Sequence, residues 1–190
     1  MRSFRLYVDL FIISPHPTKK NVTTRKRVYH APAHSFVKQW VQVVKACWQF
    51  ALEAGGKNTA GGAVSIGGAM RIPSPAANDL YGLMVGTGAD AVTISDYKLQ
   101  TKIAHGTLAT QIKYGDGQFE AFAVVGSTAS FVVKRRFENA SGATITVSEA
   151  GIYCYDAANY LCLARDVLAT PQDVLNGQIL ELKYTFKTTV

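Results

Sequence analysis

The chain has 190 residues, of which 48% are hydrophobic and 17% charged, with a net charge of +7 and a pI near 9.4. That is enough apolar material for a single domain over 1–190 with a full core, and no run approaches the ~20 apolar residues a spanning helix requires. The charged fraction lies below the ~25% usual for soluble domains, which suits a surface partly covered by partner subunits, and the positive excess suits nucleic acid or an acidic partner.

Residues 4–14, FRLYVDLFIIS, read as a strand rich in β-branched and aromatic side chains. Arg5 and Asp9 interrupt it and no small-residue cleavage site follows, so a secretory leader is not expected. Pro15 and Pro17 end the strand, and the basic residues Lys19, Lys20, Arg25, Lys26 and Arg27 follow. These five are the candidate partner contacts, with a solvated basic loop as the plain alternative. No aromatic–basic interleaving accompanies them in the sequence, so nucleic acid is the lesser choice of partner. A short strand over 26–30 is closed by Pro32, and residues 1–33 as a whole read as an N-terminal arm.

A helix is expected over 35–53, with Ser35 as N-cap and Gly55-Gly56 as the stop. Phe36, Trp40, Val43, Val44, Cys47, Phe50 and Ala51 follow helical spacing, which predicts one stripe packed on a sheet. Residues 55–80, rich in Gly and Ala with Pro73 and Pro75, read as a flexible connection holding one strand at 63–72.

From residue 80 onward short apolar segments alternate with turn signals. Strands are expected over 81–85, 97–103, 110–114, 118–125, 128–137, 144–155, 160–168 and 178–187. Turns are expected at Gly115-Asp116-Gly117, Gly126-Ser127, 139–142 and 156–159. Leu180, Leu182, Tyr184 and Phe186 share one face of the last strand, and Ala129, Phe131, Val133 and Phe137 one face of an earlier one. Period-two alternation with a polar second face means a sheet with one side in the core. The expected fold is a mainly β, antiparallel β-sandwich, with a jelly roll as one form of it, carrying one packed helix.

Few residues suggest chemistry. Gly86-Thr87-Gly88-Ala89-Asp90-Ala91 is like a dinucleotide loop, but the third glycine is missing and no helix follows, so a turn is the better reading. His16, His30, His34 and His105 lack metal spacing, with Pro32 between the second and third. No nucleophile elbow is present; catalytic, cofactor and metal residues are all expected to be none. Cys47, Cys154 and Cys162 do not form a disulfide framework; the last two have opposite strand parity and should not bond, which suits folding in a reducing cytoplasm.

One polar pair stands out. Glu149 and Arg165 both fall where their strands place apolar side chains. Pairing Cys154 with Leu161 and inserting a bulge at Ala150-Gly151 brings the two charges opposite each other, and a buried charge requires such a partner. A structural ion pair is therefore expected there, with a catalytic acid as the alternative.

The segments ITVSEAGIY (145–153), LCLARDV (161–167) and GQILELKYTF (177–186) resemble a recurring pattern in tailed-bacteriophage virion proteins, and 81–106 and the HSFV start of the helix are similar. The resemblance implies a non-enzymatic structural component of a phage particle, near the tail or neck or associated with the capsid. It would be a homo-oligomer contacting other virion proteins, with no membrane partner. The alternative is a carbohydrate- or receptor-binding module of a tail fibre, for which Tyr153 and Tyr155 are the candidate groove aromatics.

Overall fold

A computed structural model describes residues 4–189 except 21, 34, 35, 50, 69, 157 and 158. The protein is mainly β, and its strands join by hairpins and mostly antiparallel ladders into a large sheet, a smaller sheet and a two-stranded ribbon.

The first two strands are β1 (Phe4–Pro15) and β2 (Thr23–Ala33), followed by the helix α1 (Lys38–Gln49). Next come β3 (Glu53–Lys57), β4 (Ala63–Ile66), β5 (Gly82–Gly86) and β6 (Ala104–His105). The rest of the chain forms β7 (Gln111–Phe119), β8 (Ala123–Val125), β9 (Thr128–Glu138), β10 (Ile145–Asp156), β11 (Asn159–Val174) and β12 (Ile179–Thr189). The large sheet runs β2-β1-β12-β9-β7-β6, with β8 also on β9. The smaller sheet runs β11-β10-β5, and β3 pairs with β4. Only the β1–β2, β3–β4, β6–β7, β8–β9 and β10–β11 neighbours are consecutive in the chain; β1–β12, β12–β9, β9–β7 and β10–β5 join more distant segments.

One hydrophobic core takes side chains from both main sheets. Leu180, Leu182, Tyr184 and Phe186 are all buried, as their alternation requires. Leu6, Val8 and Leu10 enter from β1, and Val133 and Phe137 from β9. Burying side chains of this kind contributes about 1.5–3 kcal/mol each.

The described residues of the expected 1–33 arm do not form one. The described part, from residue 4, is a hairpin whose first strand lies inside the large sheet, laddered to β2 on one side and β12 on the other. The apolar face that makes 4–14 a strand has its partners within the same chain. The second strand is longer than the expected 26–30 and runs through Pro32, which it tolerates because β2 is an edge.

The helix is shorter than 35–53; its expected cap, Ser35, and Phe50 lie outside the described residues. Phe36 stacks on Trp40 at 4.4 Å, and both rings lean on Phe186. Val43 is buried, but Cys47 and Ala51 are exposed, and Ala46 completes the buried stripe instead. The helix ends early because Glu53–Lys57 pairs with Ala63–Ile66. Part of the expected 55–80 connection is therefore a β-ribbon, closed on the buried Ile66.

Two further expectations fail for local reasons. Residues 97–103 form no strand beyond a single bridge from Gly86 to Lys102, because the N–H groups of Gln100 and Thr101 are used by a buried carboxylate. Gly115-Asp116-Gly117 is a bulge inside β7, where the register against β9 slips by one residue, rather than a turn.

Candidate functional site

The most concentrated polar chemistry lies at Glu149. Its carboxylate is fully buried and accepts four hydrogen bonds. Gly88 N–H and Thr101 N–H donate to Oε1 at 3.1 and 2.7 Å; Gln100 N–H and Arg165 Nε donate to Oε2 at 3.1 and 2.8 Å. Arg165 is 3% exposed and also donates from Nη1 to Asp96 and from Nη2 to the Asp90 carbonyl. Burial pushes the Asp96 carboxyl up, but hydrogen bonds from Thr93 and Arg165 outweigh that and hold it below its usual range.

The pair is made in a register different from the expected one. Cys154 does face Leu161, but the extra residue is Leu163 on β11, not a residue at Ala150-Gly151 on β10. Glu149 consequently faces Val167, Arg165 faces Gly151, and the ion pair is a diagonal contact reached by two long side chains. Gly151 serves close approach instead: a Cβ there would lie 2.8 Å from the Ala164 carbonyl oxygen.

This arrangement also explains the glycine-rich turn. It does cradle an anion, but the anion is Glu149 of the same chain. A Cβ on Gly88 would sit 2.6 Å from Glu149 Oε1, so the glycine leaves room for a carboxylate rather than a phosphate. With its oxygens occupied by structural donors, Glu149 is an internal clamp on segment 86–101 and is not placed as a general acid.

Sequence reasoning missed a second clamp, Arg135, which is 1% exposed. Its guanidinium donates to the carbonyls of Gly115, Tyr81, Leu83, Pro75 and Asn78. Burial pulls its pKa down to about 10, so it remains charged at neutral pH. The signal was available, since Arg135 has the core parity of Phe131, Val133 and Phe137.

The five basic candidates separate by position. Lys19 and Lys20 lie in the β1–β2 turn, and the other three stand on the edge strand. Arg25 donates from Nη2 to Glu181 at 2.6 Å, and Arg136 donates from Nε to the same carboxylate at 2.9 Å. Burial raises the Glu181 carboxyl, and these two arginines more than offset it, leaving it below its usual range. Arg27 approaches Asp9, which also binds His30. Among the described residues Lys19, Lys20 and Lys26 make no ion pair.

The other candidate groups are occupied structurally. Cys154 and Cys162 are buried free thiols, Cys47 an exposed one. Burial pushes Cys154 up to about 12 and Cys162 well above its ordinary value, which removes their nucleophilicity. His105 Nδ1 accepts from Tyr114 N–H, and His16 Nδ1 accepts from Thr18 and Lys19 N–H; His34 lies outside the described residues. No group of three or more metal-ligating side chains occurs among the described residues. Tyr153 is buried and accepts from Leu99 N–H, so it is not a groove aromatic; Tyr155 packs against Tyr81 and Tyr160.

The clearest exposed feature is apolar. Phe122, Val124 and Val125 are 66%, 64% and 77% exposed at the tip formed by β8 and its flanks, and no charged residue occurs over 121–127. Comparison with known proteins adds no relative: no family model matches the chain, and neither a curated protein nor a solved structure matches it significantly.

Proposed function

We propose that this chain is a structural component of a bacteriophage particle and assembles through subunit–subunit contacts. The observation that carries the reading is the exposed apolar tip, where Phe122, Val124 and Val125 stand close together in the chain. Contiguous exposed apolar side chains mark an interaction site. Among the described residues β8 pairs only with β9, so its second edge keeps free backbone donors and acceptors for a neighbouring subunit. The virion-like segments 145–153, 161–167 and 177–186 agree with this. They form much of the β10–β11 hairpin and of β12, and contribute side chains to the core.

A structural role also fits the interior. Glu149, Arg165 and Arg135 are spent on holding loops against strands. Such bonds resist local opening and leave no unsatisfied acid or base facing a cavity at these positions.

The test is a Phe122→Asp, Val125→Asp double variant, followed by mass in solution and by incorporation into purified particles. The expected result is an unchanged thermal midpoint with loss of association. A wild-type chain that stays monomeric and is absent from particles overturns the reading.

A further inference from the structure

Beyond assembly, and independently of it, we propose that the outer face of the large sheet binds single-stranded nucleic acid. The inner parity of β1 and β12 fills the core, so the opposite parity faces away from it. That outer face brings together aromatic and cationic side chains from strands far apart in the sequence. Tyr7 stacks on His30 with ring centroids 5.6 Å apart, and Lys187 Nζ lies 4.3 Å from the Tyr7 ring centre. The Arg25 guanidinium covers the Phe11 ring at 3.5 Å.

The face keeps a positive excess despite its carboxylates. Glu181 is shared by Arg25 and Arg136, and Glu120 by Lys134 and Lys183, so each of these two carboxylates leaves one cation uncompensated, while Asp9 is matched by Arg27. Arg5 and Lys187 add to the field, and hydrogen bonding to Arg5, with a smaller contribution from Lys187, holds the Tyr7 phenol below its ordinary range. Lys19 and Lys20 add positive charge in the β1–β2 turn beside this face.

Cations supply sequence-independent phosphate binding, and the half-buried rings of Tyr7 and Phe11 supply an aromatic surface for bases. The bases must be unpaired to reach those rings. Among the described residues the helix packs on β11, β3 and β4 and none projects from this face to enter a duplex groove, so a single strand fits it better than a duplex.

The probe is a fluorescent oligothymidylate of ~20 nucleotides, long enough to exceed the usual ~4–16-nucleotide site, read by anisotropy against salt. Binding is expected, with log affinity falling linearly in log salt. Tyr7→Ala should weaken it about tenfold while Tyr7→Phe retains it. Arg5→Glu and Lys187→Glu should weaken it and flatten the salt slope. Thermal midpoints measured alongside should stay near wild type. Absence of binding at low salt overturns the proposal. Equal affinity for duplex or polyglutamate, with Tyr7→Ala silent, also overturns it and shows a generic cationic surface for an acidic protein.

Discussion

Glu149 and Arg165 show how a residue's worth depends on what it would leave behind. Both are buried, so removing either strands a charge among groups arranged to meet it. Glu149→Gln and Arg165→Met are each expected to cost about 3–5 kcal/mol in denaturant unfolding, and the double variant less than the sum of the singles. Small, additive effects would show that the two charges do not act as a unit. The pair was legible because each charge interrupts an apolar parity. Its register was not, because Leu163 looks like any other core residue and nothing local marks it as the bulge. Arg135 was equally open to the parity argument, but its five partners are carbonyls, which every residue has, so no partner could be read from the sequence.

At the scale of elements, the β1–β2 hairpin turns a run of basic residues into unequal roles. Arg25 answers a carboxylate that is almost fully buried, whereas Lys26 stands exposed on the edge. Arg25→Ala is expected to cost about 1–2 kcal/mol, discounted because Arg25 is itself 43% exposed and Arg136 remains on Glu181. Lys26→Ala should stay within about 0.5 kcal/mol. Equilibrium unfolding of the two variants side by side checks this, and equal costs would contradict the assignment. The separation is a tertiary fact: Glu181 lies 156 positions from Arg25. The same holds for residues 97–103, whose backbone has strand-like composition but donates to Glu149 instead of to a ladder.

For the whole molecule, the ionisable groups predict a dome of stability against pH. The carboxyls of Asp96, Glu120 and Glu181 are held below their ordinary values, despite burial at Asp96 and Glu181, and chiefly by Lys183 at Glu120. The folded state therefore binds fewer protons than the unfolded chain in the carboxylate range. Stability is full above about pH 4–5 and falls as pH drops through the lowered values. At the other end, burial raises Cys154 from 9.0 to about 12 and holds the Cys162 thiol well above its ordinary value. The unfolded chain loses these protons first, so stability declines from about pH 9 upward. Urea midpoints across pH are expected to show both limbs, and Glu181→Gln should flatten the acid one. An acid limb unchanged in that variant would mean that Glu181 carries no linked proton.

What the amino-acid sequence determined alone is what depends on neighbours within a few positions. The period-two pattern of 128–137 and 178–187 sets which face enters the core, and the turn at 139–142 follows from Asn139, whose amide donates to the Ala143 carbonyl. A mainly β fold with one helix follows from the same local patterns. The tertiary structure alone decided what depends on ladders between distant strands. It placed residues 4–15 between β2 and β12, gave the glycine-rich turn an internal carboxylate, and set Tyr7 beside His30 and Lys187. The reason is physical: alternation says which way a side chain points, but only the register of a ladder says what it meets there.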